Sequence, residues 1–91
     1  MDFDRLPGGP LVRQGLEDLA SNRETDASLL VLIGSPRLTK LGLSIPAVAP
    51  PCVEHLLYMR LSRVRPDSAH SRYNALLRLL VSFERAAECA G

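Results

Sequence analysis

Tryptophan is absent from this chain of 91 residues, lysine occurs only once, at Lys40, and aromatic residues make up 4%. The two cysteines, Cys52 and Cys89, are too few for a disulfide scaffold and too few for a typical zinc site. The longest apolar run, Leu29 to Ile33, is too short to cross a bilayer. We therefore expect neither a membrane protein nor a protein that holds a metal ion or another cofactor.

The charge of the chain is nearly balanced, with a formal net charge of +1. A dedicated nucleic-acid-binding domain is usually strongly basic, so the overall charge favours other classes of protein. The first residues, Met1 to Asp4, are acidic where a secretory signal is basic. Together with the two cysteines, this predicts a cytoplasmic protein with free thiols.

Two helices are predicted in the N-terminal third of the chain. Pro10 suits the first position of a helix, whose apolar stripe ends near Asn22. Thr25 is a good N-cap for a second helix, although the run from Leu29 to Ile33 suits a buried strand as well. We favour a helix because no other segment offers a strand partner, and a single strand cannot satisfy its own backbone hydrogen bonds.

Glycine and proline divide the rest of the N-terminal half. Residues 1–9 end in a breaker cluster and are predicted to be a flexible arm. Ser35-Pro36 begins a third, short helix, with Gly42 as its left-handed terminator and Leu43 packing back behind it. Residues 44–51 contain three prolines and are predicted to be an internal linker.

The last two helices have the most regular pattern. The fourth begins at Pro50 or Pro51, stops at Pro66, and has an apolar face of Val53, Leu56, Leu57, Leu61 and Val64. The fifth, capped by Asp67 or Ser68, has apolar residues at alternating steps of four and three: Ala69, Tyr73, Leu76, Leu80, Phe83 and Ala87. The tight turn between them predicts a hairpin. The chain is therefore expected to be a single all-α domain over residues 1–91, an orthogonal or antiparallel bundle of four to five helices with a long C-terminal helix.

The last helix is more apolar than one contact face requires, because Leu77, Leu79 and Val81 widen its apolar coverage. A helix of this kind is usually central in a bundle or contacts a second subunit. The first functional hypothesis is therefore a protein-interaction module, a homodimer or an accessory subunit of a larger partner. Its predicted interface consists of Leu76, Leu79, Leu80 and Phe83.

The densest basic cluster lies at the turn between the last two helices. It comprises Arg60, Arg63 and Arg65, and Arg72 joins it across the turn, with Tyr73 as the one aromatic residue near enough to stack on a base. Arginine side chains suit phosphate groups, so the second hypothesis is binding of RNA, DNA or phosphate. The alternative is a solvated helix end whose cations complement the helix dipole.

His70 lies in the first turn of the last helix, where backbone N–H groups are free to bind an anion. Arg65 and His70 also have the Arg-x4-His spacing found in helical nuclease domains of the HEPN kind. A third hypothesis therefore makes this pair a ribonuclease site, although Pro66 breaks the helix between the two residues. The alternative is an exposed histidine without a catalytic role, and no other set of catalytic residues is recognisable.

Overall fold

Residues 3–45 and 52–90, which are the residues that the structure describes, form five α-helices and two short 3-10 helices, with no β-strand among them. The structure is a computed structural model. The α-helices are α1 (Gly9–Ala20), α2 (Asp26–Ile33), α3 (Ser35–Lys40), α4 (Val53–Val64) and α5 (Ala69–Ala90). The 3-10 helices are Phe3–Arg5, which precedes α1, and Pro66–Ser68, which joins α4 to α5. The predicted all-α bundle with a long C-terminal helix is confirmed.

The central helix of the bundle is α2. The Thr25 hydroxyl accepts the Ser28 N–H at 3.1 Å, and the Ser28 hydroxyl accepts the Thr25 N–H at 2.8 Å, so the predicted N-cap is confirmed as a reciprocal capping box. The run from Leu29 to Ile33 is helical, and all but its last residue are buried. Because α2 is apolar on every side, it packs against each of the other four α-helices. The central position therefore belongs to α2 and not to α5.

A glycine allows α1 to approach α2 closely. A Cβ atom on Gly15 would lie 2.4 Å from the backbone oxygen of Ala27, so only glycine fits at this position without moving one of the two helices. Val12, one turn earlier in α1, is buried in the core. The helix ends at Ala20, two residues before the predicted end at Asn22.

A buried carboxylate holds the turn from α1 to α2. Asp18 accepts hydrogen bonds from Gln14 at 3.0 Å and from the Thr25 hydroxyl at 2.6 Å, and its side chain lies 3.0 Å from that of Arg23. The hydrogen bond from Thr25 is the largest of the effects that lower the pKa of Asp18. The buried oxygen atoms of Asp18 are therefore paired, as buried polar groups in folded proteins usually are.

The N-terminal segment contributes a side chain to the core. The ring of Phe3 packs edge to face on Phe83, with 5.4 Å between the ring centroids and 84° between the ring planes. Leu6 also packs against the core. From residue 3 onward, the segment predicted as a flexible arm is thus part of the packed structure, because the turn before α1 brings its apolar side chains back onto α5.

The third helix begins at Ser35, close to the predicted start, but its N-cap residue differs from the prediction. Gly34, and not Ser35, is the N-cap residue of α3. Gly42 ends this segment with a positive φ of 97°, which confirms the predicted left-handed terminator, and Leu43 packs back against the core. Most of the predicted linker, residues 46–51, lies outside the described residues.

Three of the five residues predicted as the apolar face of α4 are buried: Val53, Leu57 and Leu61. Leu56 is half-buried against the core, whereas Val64 is 71% exposed, so the predicted face is wrong at its C-terminal end. Val64 is the last residue of α4 and is followed directly by the turn into α5, at the end of the hairpin. The predicted start at Pro50 or Pro51 falls outside the described residues, and Val53 is the first helical residue.

The alternating spacing in α5 identifies its core side correctly. Ala69, Leu80, Phe83 and Ala87 are buried, and Tyr73 and Leu76 are half-buried against the core. The predicted cap of α5 is not observed at Ser68, whose hydroxyl is buried without a hydrogen-bond partner in the described part of the chain. The residues Pro66–Ser68 form a 3-10 turn that leads into α5, and this turn places the Ser68 side chain inward.

Candidate functional site

The predicted arginine cluster loses one of its members to an ion pair. Arg60 Nε lies 3.0 Å from Asp26 Oδ1, and this contact joins α4 to the first turn of α2. Each of the two side chains is about one third exposed, at 35% and 36%. The pair is thus a partly solvated link between two helices, of a kind that contributes roughly 0.2–1 kcal/mol. Arg60 is therefore already paired within the bundle, unlike the other arginines of the predicted cluster.

Five exposed arginines on the C-terminal hairpin form no ion pair among the described residues: Arg63, Arg65, Arg72, Arg78 and Arg85. By contrast, ion pairs hold Arg13, Arg23 and Arg37 of the N-terminal half. The positive charge that is free to attract a partner is therefore concentrated on α4, the turn and α5. Two of these residues, Arg78 and Arg85, were not among the predicted site residues.

The remaining polar residues of the predicted cluster lie at the start of α5. His70 is exposed, with its Nε2 atom 3.2 Å from Asn74 Nδ2. Tyr73 is half-buried and packs edge to face on Tyr58, with 5.6 Å between the ring centroids. Burial, followed by the charge of Glu54, raises the pKa of the Tyr73 hydroxyl. The Tyr73 ring is thus part of the α4–α5 packing.

The predicted interface residues divide between core and surface. Leu80 and Phe83 are 4% and 0% exposed, so they belong to the core of the single chain and cannot contact a partner while the chain is folded. Leu76 is half-buried against the same core. Only Leu79, at 42%, is substantially exposed. Leu80 and Phe83 are therefore core residues and not interface residues, because Phe3 and the segment around Gly34 cover this side of α5.

Comparison with protein-family models, curated proteins and solved structures found no match for this chain. None of the described helices is long and apolar enough to cross a membrane. Within residues 3–45 and 52–90, no group of three or more His, Cys, Asp and Glu side chains is placed to hold a metal ion.

Among the described residues, α5 is flanked by two grooves, one on each side of Leu77 and Val81, which line both of them. We call these two residues the Leu77–Val81 stripe. Leu77 is half-buried, and Val81 is 37% exposed. The outer groove is completed by Asn74, Arg78, Ser82 and Arg85, and the inner groove lies between α5 and the start of α3. The stripe is an apolar surface with a recess on either side.

The two edges of the Leu77–Val81 stripe carry opposite charge. Arg78 and Arg85, one heptad apart, lie along the outer groove. On the other edge, Glu84 lines the inner groove and Glu88 follows one turn later, paired with Arg37. The sequence contains a signal for this surface: Leu77, Val81, Glu84 and Glu88 follow steps of four, three and four, one residue after the core seam.

Glu84 is the one glutamate in the described residues that is buried, at 5% exposure. It has no hydrogen bond and no ion pair with a described residue. Burial raises the pKa of Glu84, the charge of Arg37 opposes this shift, and the charge of Glu88 adds to it. Arg37 itself is committed to Glu88, with its Nε atom 2.6 Å from Glu88 Oε1. Sequence analysis did not single out Glu84, because its spacing alone does not reveal its burial.

Proposed function

We propose that this chain is a protein-interaction module that docks a helix of a partner protein on the Leu77–Val81 stripe of α5. The observation that carries the proposal is a partly exposed apolar stripe bordered by edges of opposite charge, on a helix whose other side is buried. This arrangement is typical of surfaces that receive an amphipathic helix, in which the apolar residues supply affinity and the flanking charges select the partner.

The free arginines indicate the chemistry of the partner. Arg78 and Arg85 are exposed, seven residues apart, and form no ion pair within the described residues. The opposite edge requires fewer positive charges on the partner helix, because Glu88 is already paired with Arg37. We therefore propose a partner helix that carries carboxylates at a seven-residue spacing beside an apolar stripe. Rim charges of this kind mainly accelerate association and select the partner.

A second copy of the chain suits this surface less well. An antiparallel pairing about a two-fold axis between Leu77 and Val81 brings each Arg78 next to the Arg78 of the other copy. Like charges in such close positions oppose association. We therefore propose that a different protein occupies the stripe and that this chain is its accessory subunit. A homodimer is an alternative outcome of the test.

The test is selection from a displayed library of helical peptides on the purified chain. We expect enrichment of amphipathic sequences with acidic residues along one edge. Affinity for a recovered peptide should fall at least tenfold in Val81→Asp and in the Arg78→Glu, Arg85→Glu double variant. The matched control is Leu79→Glu, which changes an exposed leucine two positions away, roughly 200° around the helix. Its affinity should stay within twofold of the wild type.

Three results would overturn the proposal. The first is the absence of any enriched helical peptide, and the second is equal binding of the recovered peptides to wild type and Val81→Asp. The third is a homodimer in light scattering that Val81→Asp converts to a monomer, because a second copy would then occupy the stripe. Retention of the wild-type helical content by Val81→Asp, checked by circular dichroism, shows that lost binding is not lost folding.

A second candidate function is the binding of phosphate groups at the α4–α5 turn. It is supported by Arg63, Arg65 and Arg72, which are exposed and free of ion pairs in the described part of the chain. A labelled single-stranded RNA of twenty nucleotides should then bind with an affinity that falls as salt rises, and removal of Arg63 and Arg65 should flatten that dependence. Replacing Arg13 and Lys40 by Ala is the matched control, and no binding at low salt rejects this candidate.

The ribonuclease hypothesis stays a prediction about Arg65 and His70. The two residues lie on either side of the 3-10 turn Pro66–Ser68, and His70 is exposed beside Asn74. Cleavage of RNA by the purified chain, lost in both His70→Ala and Arg65→Ala, would support it. Absence of cleavage by the wild type, or full activity of His70→Ala, would reject it.

We also propose that the protein works in the cytoplasm. Cys52 and Cys89 are both exposed and neither forms a disulfide bond. Exposed thiols remain free in a reducing compartment. Labelling of both cysteines by a membrane-permeant maleimide in intact cells, and not by an impermeant one, would support this location.

A further inference from the structure

The groove between α3 and α5 contains a carboxyl group that no described residue neutralises directly. The Glu84 side chain is buried, lines this groove, and has neither a hydrogen bond nor an ion pair with the described residues. Gly34 makes room for it, because a Cβ atom there would lie 3.2 Å from Glu84 Oε2 and 2.9 Å from Leu80 Cδ1. The carboxylate oxygens of Glu84 are not fully buried and open onto the groove, whereas burial of the rest of the side chain limits the hydration of the charge.

The walls of the groove are mostly apolar. Besides Glu84 and Arg37, it is lined by Gly34 and by aliphatic or proline side chains: Ile33, Pro36, Leu77, Leu80 and Val81. The groove is open to solvent along its length and has a volume of about 350 Å³, which is at the lower end of the range for sites that bind small ligands. An elongated apolar group with one charged end therefore has both the space and the surface that it needs.

The charge balance in the groove is negative. Glu84 and Glu88 face a single guanidinium group, that of Arg37, whose Nε atom already binds Glu88. One negative charge thus remains without a partner of its own. A divalent metal ion does not suit the site, because calcium and magnesium require about six oxygen ligands and the groove offers one carboxyl group among apolar walls.

We propose that the α3–α5 groove binds an alkylammonium group, with its nitrogen paired to Glu84 and its methylene chain along Leu77, Leu80 and Val81. The same chemistry is available from a free aliphatic amine or from the lysine side chain of another protein, which buries its methylene stem while its ammonium group finds a charged partner. This inference does not rest on helix docking, because the ammonium site is complete within one chain and depends on Glu84, although it shares Leu77 and Val81 with the stripe.

The test is an NMR titration of the full chain with pentylamine at pH 7, in which the methyl signals of Ile33, Leu77, Leu80 and Val81 are followed. We expect saturable shifts with a millimolar dissociation constant, as befits so small a ligand. Pentanol, which has the same chain without the charge, should give no saturable shift. Glu84→Gln should weaken pentylamine binding at least tenfold, whereas the matched control Glu24→Gln, at an exposed position, should bind as the wild type does.

A second arm of the titration distinguishes the two sources of the ammonium group. A capped peptide with a single lysine that binds at least tenfold more tightly than pentylamine identifies a lysine of a partner protein, and the reverse order identifies a free amine. Equal binding of pentylamine to wild type and Glu84→Gln would overturn the proposal, and so would equal shifts with pentanol or no saturable shift at all. An unchanged amide spectrum of Glu84→Gln outside the groove shows that the variant is folded.

Discussion

The hydroxyl of Thr25 donates a 2.6 Å hydrogen bond to Asp18 Oδ2 and accepts the N–H of Ser28 at 3.1 Å. A single side chain therefore caps α2 and ties that cap to the last turn of α1. The two helices meet closely here, because Gly15 leaves no side chain between them. The local rule for a helix N-terminus and the tertiary packing of α1 on α2 thus depend on the same oxygen atom.

Replacing Thr25 by valine should destabilise the fold. Valine has nearly the shape of threonine but can neither accept the Ser28 N–H nor donate to Asp18. We expect a loss of about 1–2 kcal/mol in the free energy of unfolding, measured by urea denaturation. Thr25→Ser keeps the hydroxyl and should lose less than half as much. Equal losses in the two variants would show that the methyl group, and not the hydroxyl, is responsible.

The hydrogen bond from Thr25 also predicts how stability depends on pH near Asp18. It lowers the pKa of Asp18 below the ordinary value of 3.8, so the folded state favours the ionised carboxylate. This contribution is present in full above pH 3.8 and is lost as the pH falls through the lowered pKa of the folded state. The melting temperature of the wild type should therefore fall more steeply below this pH than that of Asp18→Asn. Parallel curves for the two proteins would contradict the prediction.

Phe3 should contribute to stability, although it lies at the start of the chain. Its ring packs on Phe83, which is fully buried. We expect Phe3→Ala to lose about 2 kcal/mol in the free energy of unfolding, through lost burial and the lost aromatic contact. Phe3→Leu should lose roughly half of that, since it retains most of the apolar surface. A flexible arm would instead give no change in either variant.

Two neighbouring leucines of α5 should respond in opposite ways to a charge. Leu79 is 42% exposed and Leu80 is 4% exposed. Leu79→Glu should change the free energy of unfolding by about 1 kcal/mol or less, whereas Leu80→Glu should unfold the chain, because its charge has no partner in the core. Circular dichroism on thermal melting distinguishes the two. A folded Leu80→Glu protein would show that this side of α5 is not part of the core.

The buried Glu84 predicts a pH dependence of the opposite sign. Burial raises its pKa above 4.5, so the folded state favours the protonated form. The associated stability is present in full below pH 4.5 and is lost as the pH rises through the raised pKa of the folded state. The wild type should therefore melt at a lower temperature than Glu84→Gln at pH 7, and the difference should shrink toward pH 4.5. A constant difference between the two would mean that ionisation of Glu84 is not the cause.

Local signals predicted the helices well because they act within a few residues. Thr25 caps α2, Gly42 ends the segment after α3 in a left-handed conformation, and the proline after α4 stops that helix. The run Leu29 to Ile33 suits a helix or a strand by composition, and the lack of a strand partner predicts the helix that is observed. Each of these decisions depends on backbone geometry and on side chains that are close in the sequence.

The candidate site was harder to predict, because exposure is a property of the whole fold. The sequence predicts Leu80 and Phe83 as interface residues, but they are core residues, whereas Val81, which it marks only as widening the apolar coverage of α5, is exposed. Their spacing shows on which side of α5 each one lies. It does not show how much of that side the N-terminal segments cover. Glu84 is buried because the segment around Gly34 packs against it.

The sequence by itself determined that this chain is helical, where its helices lie to within about two residues, and which seam of α5 is apolar, because capping, chain breaking and helical periodicity are local. Only the tertiary structure decided that α2 is central, that Phe3 is part of the core, and that the partly exposed surface of α5 lies at the Leu77–Val81 stripe. These features depend on contacts between distant segments, such as Arg37 with Glu88, 51 residues apart, and Arg60 with Asp26, 34 residues apart. Such contacts form only when the apolar faces of distant helices pack together, and no short window of sequence shows which faces meet.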